Sequence, residues 1–424
     1  MIRLEGIAQQ ITIFCLIQLR FLGLSFRRFS IKLAFLNQNL LVQRELASAL
    51  KRVPGLQLVN IEIASHPDSQ AAFKLIDFLD KEPCAILLTV NEWGLDSEGI
   101  LHDYLQKKCS LHVNWFVDDP VFDEMMLRKK FRPSAMRIDF VSDRGYIPSM
   151  IEKEYNPKFL PLGTDPSIFF PPEEGQNKEY EMVFVGNSYR AQIDRYLEKV
   201  EEFFDGLIPL LTGVVRSYQM NVGYDVEKDI RTKIKDVPLP SGLHGEKAVF
   251  IAKQVASYLQ RKDLIVSLVK RYPGFTVFGD DGWLVDIPAQ RLKRASYYDG
   301  LADVYRKSEI VIDVNRVVIR DGFTQRIFDA LACRSFVITS SKPAVHEFFC
   351  TSGPCQEVAA FRNINDLTRQ IDYYLEHRGE MAQIAVRGYQ KTLSLHTYDH
   401  RVRQMLSFSS SYLKNLKAGK SAAF

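Results

Sequence analysis

The stretch from Asn315 to Thr339, NRVVIRDGFTQRIFDALACRSFVIT, places Asp321 and Asp329 with seven residues between them. Ionised carboxylates accept charge-assisted hydrogen bonds, so acids in a loop leading into a helix suit the hydroxyls of a sugar or a ribose. Asp321-Gly322-Phe323 supplies a turn, and the spacing predicts a helix over Thr324–Cys333. Arg326 and Asp329 then share a face of that helix. One reading puts Asp329 on ribose hydroxyls and Arg326 near phosphates; the other makes them a surface ion pair. Asp321 either meets the ligand or caps the helix. Just upstream, Asn315 and Arg316 end an apolar segment, where Arg316 either neutralises a leaving diphosphate or stays solvated.

Gly186-Asn187-Ser188 follows an apolar segment and precedes a helical one. Small residues there let backbone N–H groups approach a diphosphate. Arg190 adds positive charge; an ordinary strand-to-helix turn is the alternative. Asp118-Asp119-Pro120 ends another apolar segment. This pair could act as general base or hold acceptor hydroxyls, bind a divalent ion, or cap a helix over Val121–Lys130. Gly279-Asp280-Asp281-Gly282-Trp283 either borders a nucleobase or is a plain acidic turn. Ser142-Asp143-Arg144-Gly145 ends a further strand and faces the same side by topology. The eight histidines show no metal-ligand spacing.

These residues need a scaffold that gathers strand ends. Ile31–Leu36, Leu56–Ala64, Cys84–Val90, Leu111–Val117, Arg137–Ser142 and Pro157–Leu162 read as strands. Helical patterns at Leu40–Val53, Gln70–Asp80 and Gly99–Lys108 fall between them. Such alternation argues for a parallel sheet covered on both faces. Thr164–Tyr180, with Pro166, Pro171, Pro172 and Gly175, reads as an inter-domain crossing. Strands resume at Glu181–Val185, Phe275–Phe278, Glu309–Val314 and Phe336–Thr339. Helices are expected at Arg190–Phe204, Glu246–Arg271 (one or two), Asn365–His377, Glu380–Thr392 and Tyr398–Lys417, with Leu207–Pro240 helical with loops.

Two acids at this spacing, followed by a small-residue run and a buried strand (D-GFTQRIF-D-ALACRSFVIT), resemble the nucleotide-sugar site of retaining GT-B glycosyltransferases. Both acids are Asp where those enzymes usually carry Glu, and Arg334 stands where they carry Gly. NWFVDDP (Asn114–Pro120), the run Phe140–Pro171, VFVGNSYR (Val183–Arg190) and VFGDDGW (Val277–Trp283) occur in this order over roughly residues 30–400. That order is similar to the CgeB-like, spore-maturation type of glycosyltransferase.

The resemblance implies an α/β chain of GT-B type: two doubly wound Rossmann-like domains facing across a cleft. The implied division is an extension over 1–29, an acceptor-side domain over 30–165, a nucleotide-sugar-binding domain over 166–397, and a helix over 398–424 that crosses back to the first domain. Donor contacts are expected from Gly186, Asn187, Ser188, Arg190, Asn315, Arg316, Gly322, Phe323, Arg326 and Asp329. Asp118, Asp119 and Asp321 are the catalytic candidates, with Asp321 toward the donor sugar. The implied reaction moves a sugar from a nucleotide-diphosphate sugar to a glycan, surface polymer or protein, without a metal or other required cofactor. The acid spacing leans toward retention; an inverting enzyme would use Asp118 or Asp119 as base. The alternatives are a non-catalytic nucleotide-sugar-binding protein on the same fold, or a GT-B epimerase.

With 424 residues, 46% hydrophobic and 25% charged, the chain has material for two domains. A net charge of +4 gives no dense basic stripe, which argues against a nucleic-acid partner. Six cysteines are scattered at Cys15, Cys84, Cys109, Cys333, Cys350 and Cys355. Cys350 and Cys355 could pair, but free thiols in a reducing cytoplasm are the simpler expectation. Ile11–Phe26 is apolar but interrupted by Gln18 and Arg20, and Arg27-Arg28 follow it. It is too short and polar for a membrane span and lacks a cleavage site; it reads as a peripheral extension, or as a helix lying on a membrane surface.

Overall fold

The computed structural model describes residues 31–64, 69–82, 85–96, 98–108, 110–120, 134–197, 201–239 and 245–417. The N-terminal extension with its expected membrane contact, the helix expected over Val121–Lys130, and Cys15, Cys84 and Cys109 lie outside the described residues.

Six strands form a first, wholly parallel sheet: β1 (Ile31–Asn37), β2 (Leu56–Glu62), β3 (Ile86–Val90), β4 (Leu111–Phe116), β5 (Arg137–Val141) and β6 (Pro157–Phe159), in the order β2-β1-β3-β4-β5-β6. The helices α1 (Gln43–Lys51), α2 (Ser69–Lys81), α3 (Ile100–Lys107) and α4 (Ile147–Glu152) connect them. β3, β4 and β5 are buried at every position, as central strands covered on both faces must be.

A second parallel sheet holds β7 (Tyr180–Val185), β8 (Phe275–Phe278), β9 (Leu292–Lys293), β10 (Ser308–Asp313), β11 (Phe336–Ser340) and β12 (Ala359–Phe361), in the order β12-β11-β10-β7-β8-β9. Its helices are α5 (Arg190–Leu197), α6 (Glu201–Met220), α7 (Val226–Lys233), α8 (Gly245–Arg271), α9 (Leu301–Arg306), α10 (Arg326–Ala332), α11 (Pro343–Phe348), α12 (Ile364–Glu376) and α13 (Arg378–Leu395). The chain winds one way from β7 through β9 and the other way from β10 through β12. The order therefore reverses between β7 and β10, which are hydrogen-bonded neighbours. At such a switch point the two strand-end loops diverge and leave a crevice.

The last helix, α14 (Tyr398–Lys417), leaves the second sheet. Its Tyr398, Val402, Met405, Leu406 and Tyr412 share a core with Leu33, Phe35, Leu88 and Trp115 of the first. The Tyr412 hydroxyl donates to Ala135 O at 3.0 Å, and Arg52 pairs with Asp399 at 2.9 Å. Covering a strand-rich apolar face this way removes it from water and couples the two halves.

The 246–271 pattern, read as one or two helices, is a single 27-residue helix, α8. Two strands were not expected: β9 and β12, at two and three residues, carry too few side chains to show a period. Cys350 and Cys355 are joined in a disulfide across a loop with Cα atoms 5.9 Å apart. That corrects the expectation of free thiols and bears out the alternative that these two could pair: the chain turns between them and brings the two sulfurs together. Cys333 is a free, buried thiol, as its apolar run implies.

Candidate functional site

The switch point of the second sheet gathers positive charge. The loop after β7 carries Gly186 to Tyr189, the loop after β10 carries Asn315 and Arg316, α10 brings Arg326, and the middle of α8 brings Arg261. Arg326 is anchored: its Nε donates to Asp313 Oδ1 at 3.0 Å and its Nη2 to Val314 O at 3.0 Å. Asp313 is buried and also accepts from Thr324 and Thr339. Arg261, only 1% exposed, donates from Nη1 to Asn187 O at 3.0 Å, while its Nε and Nη2 find no acceptor among the described residues. Arg316 reaches Gln254 through Nη2 and leaves its buried Nε without an acceptor. Asn315 is fully buried with neither Oδ1 nor Nδ2 partnered.

Tyr189 lies among these groups. Its ring is 4.7 Å from the Arg261 guanidinium and 5.0 Å from that of Arg316. Burial pushes the Arg261 charge down to about 10, with Arg326 and Arg316 pushing the same way. Burial would raise the Tyr189 hydroxyl, but Arg261, Arg316 and Arg326 outweigh it and bring it down to about 8. A buried donor left unmade costs about 1–3 kcal/mol. Several such donors beside clustered like charges therefore define a place complementary to an anion rich in oxygen acceptors.

The residues expected to cradle phosphate divide. Asn315, Arg316 and Arg326 belong to the cluster. Gly186 and Asn187 border it, but through carbonyls: Gly186 O accepts from Trp283 Nε1 at 2.9 Å and Asn187 O from Arg261. Ser188 N–H is taken by Asp280 Oδ1 at 2.9 Å. Arg190 turns toward Asp194, Asp286 and the Tyr258 hydroxyl. The Gly279–Trp283 loop packs on the Gly186–Ser188 loop: a Cβ on Gly279 would lie 2.5 Å from Gly186 O, and one on Gly282 would lie 2.2 Å from Ser188 Oγ. Trp283 is fully buried there.

Asp321 and Asp329 have separate partners. Asp329 is buried; its Oδ1 accepts from Thr164 at 2.7 Å and its Oδ2 from the Tyr297 hydroxyl at 3.0 Å, and burial pushes its carboxyl well above the usual carboxylate range. No ion pair joins it to Arg326, whose carboxylate partner is Asp313. Asp321 Oδ1 accepts from Ala344 N–H at 3.0 Å at the start of α11, and Arg144 lies 3.5 Å from Oδ2. Burial raises Asp321 and Arg144 offsets part of that rise. The Phe323 ring is core, packed on Phe328, Phe348 and Phe349.

The first sheet meets this region with its own strand ends. Asp143, after β5, accepts from the N–H groups of Arg320 (2.7 Å), Asp321 (3.0 Å) and Gly322 (3.1 Å). Gly322 sits so close that a Cβ would lie 2.8 Å from Ser142 O. Asp118 Oδ2 accepts from Asn91 Nδ2 at 2.8 Å. Asp119 pairs with Lys253 at 3.2 Å, Lys253 with Glu227 at 2.7 Å, and Glu227 with Arg320. This chain of alternating charges crosses between the halves. Burial would raise Glu227, but Lys253 and Arg320 bring it down to about 2. Among the described residues no group of three or more His, Cys, Asp or Glu could hold a metal ion, and no helix is long and apolar enough to cross a membrane.

Sequence reasoning missed Arg261, Tyr189, Lys253 and Asp313. Arg261 looks like one more surface charge in YLQRKDLIV. The available signal for Tyr189 was its place directly after Gly186-Asn187-Ser188.

Residues 260–407 match the family model described as glycosyl transferase-like. Among curated proteins no sequence matches the chain. Sucrose-phosphate synthase from Thermosynechococcus elongatus is similar in structure at 11% identity and a TM-score of 0.51, covering 92% of this chain and 100% of that one. HepE from Anabaena, solved with UDP and glucose, is similar at 9% identity and a TM-score of 0.51, covering 90% and 100%. The fold is GT-B. Its two parallel sheets and their flanking helices are those read from strand-helix alternation and from the resemblance. In GT-B terms the arginine cluster stands at the switch point of the C-terminal sheet, on the side facing the N-terminal sheet's loops.

Proposed function

We propose that this protein is a glycosyltransferase that takes its sugar from a nucleotide-diphosphate sugar. The observation that carries the reading is the cluster of Arg261, Arg316 and Asn315, whose buried, unpartnered donors match the oxygens of a diphosphate, with Arg326 beside them. The glycosyl transferase-like match over 260–407 and the GT-B fold support it. The donor binds the 166–397 half, and the acceptor, a glycan, surface polymer or protein, binds the 30–165 half. Electrostatic stabilisation of the leaving diphosphate by the arginines is the main catalytic contribution. Asp118 and Asp119 are the acids nearest an acceptor; Asn91 orients the first and Lys253 holds the second. Chemistry proceeds without a metal, since the arginines supply the countercharge. The CgeB-like type, a hexosyl donor, retention and a cytoplasmic location complete the proposal.

A specific observation favours a second reading. Asp329 is enclosed by Thr164 and Tyr297, and Asp321 is engaged at the start of α11. A site whose paired acids are so occupied suits a nucleotide-sugar-binding protein without turnover. The deciding experiment combines calorimetry and product analysis with a panel of nucleoside diphosphates and their sugars. Binding with slow donor hydrolysis or transfer supports the transferase; binding with an intact donor supports the second reading; an epimerised sugar released with free UDP would mark an epimerase. Absence of binding by folded protein removes the donor-site assignment.

A further inference from the structure

Tyr189 occupies an unusual position. It is a bulky residue with φ of 63°, in the left-handed region that favours glycine, at the turn from β7 into α5. Such strain persists where surrounding contacts enforce it. The contacts here are two guanidinium groups from different elements: Arg261 from α8 at 4.7 Å and Arg316 from the loop after β10 at 5.0 Å. Neither arginine has a carboxylate within 4 Å among the described residues, whereas Arg326 has Asp313 and Arg190 has Asp194 and Asp286. Two neighbouring like charges repel unless something attracts both, and an aromatic face does so.

We propose that Tyr189 is a positioning residue of the anion site: its ring holds Arg261 and Arg316 together, and its hydroxyl, when ionised, competes with an incoming diphosphate for their charge. The proposal rests on the reading of the arginine cluster as the donor's diphosphate site. The charges of Arg261, Arg316 and Arg326 bring the hydroxyl down to about 8 against the opposing effect of burial. Above that pH the phenolate competes with an incoming anion; below it the phenol does not. The ring acts at all pH values and the charge only at the higher ones, so the two contributions separate.

The test is calorimetric binding of inorganic pyrophosphate and UDP to wild type, Y189F and Y189A between pH 6.5 and 9.5. Comparing variants at each pH cancels titration of the ligand. Y189F is expected to bind like wild type near pH 7 and to become several-fold tighter than wild type by pH 9.5. Y189A, which lacks the ring, is expected to lose about tenfold at every pH, equivalent to about 1.4 kcal/mol. Should Y189A fold poorly, the Y189F-to-wild-type ratio still decides, because that substitution keeps the ring. A ratio flat across the range, or a folded Y189A that binds like wild type, overturns the role of Tyr189 while leaving the donor site standing. Failure of wild type to bind either probe overturns the donor-site reading, and the role of Tyr189 with it.

Discussion

The carboxylate of Asp143 and the backbone of Gly322 belong to opposite halves of the molecule, yet they lie 3.1 Å apart as acceptor and donor. Arg320 and Asp321 add their N–H groups to the same carboxylate, and the missing side chain of Gly322 leaves room for Ser142 O. This joint closes the GT-B halves at the loop that carries Asp321. Asp143→Ala strands these three donors and Gly145 N–H as well, and is expected to cost about 1–3 kcal/mol. Gly322→Ala, which drives a methyl group into Ser142, should loosen the same joint. Hydrogen exchange of amides 320–322 reads it out directly. Unchanged protection in both variants would show that the contact does not hold the halves together.

Arg261 sets function against stability. Removing a buried charge that lacks a carboxylate partner relieves the fold, so Arg261→Met is expected to unfold at the same temperature as wild type or higher. It also removes charge-assisted donors from the anion site, so nucleoside diphosphate affinity should fall about 10- to 100-fold. Calorimetry and thermal melting on the same preparation check both halves. A loss of stability without loss of binding would make Arg261 a structural residue.

The fold was legible because its signals are local: apolar runs of strand length, helical spacing between them, and proline punctuation at Thr164–Tyr180. Members of the arginine cluster were legible where they follow a strand end, as with Asn315 and Arg316. Arg261 was not, because its role depends on where the middle of a long helix crosses β7, a long-range packing fact absent from local pattern. Asp329 reads either on ribose hydroxyls or in a surface ion pair with Arg326, but Thr164 and Tyr297, distant in sequence, enclose it. Asp143 was placed on the correct side by topology; its partners in the opposite half were invisible.

That enclosure makes a pH prediction. The folded pKa of Asp329 is raised above its ordinary value by burial. Its contribution is fully present below about pH 3.8, the unfolded value, and is lost as pH rises toward the folded one. Asp329→Asn stays neutral throughout, so its stability relative to wild type should increase from pH 4 to 8. Denaturant midpoints across that range provide the measurement, and a constant difference would mean that the carboxyl does not titrate abnormally.

Glu227 behaves in the opposite sense. Lys253 and Arg320 hold it at about 2, below its ordinary 4.5, despite burial. Its contribution is present above about pH 4.5 and is lost as pH falls toward 2. Glu227→Gln should therefore cost roughly 2–3 kcal/mol at pH 7, with the difference from wild type shrinking between pH 4.5 and 2.5. The same substitution leaves Lys253 with Asp119 alone, so it should also increase exchange at the joint between the halves.

Arg334 ends α10 with φ of 55°, a left-handed residue where glycine is the usual choice. Ser335 N–H donates to Ala330 O at 3.1 Å and Arg334 N–H to Leu331 O at 2.9 Å, the paired bonds of a helix end that requires this conformation. A side chain there costs about 1 kcal/mol that glycine avoids, offset in part by the greater freedom glycine has when unfolded. Arg334→Gly is accordingly expected to stabilise the protein by about 0.5–1 kcal/mol, a rise of a few degrees in melting temperature at most, without altering diphosphate binding. A lower melting temperature would show that the Arg334 side chain makes contacts worth more than the strain it imposes.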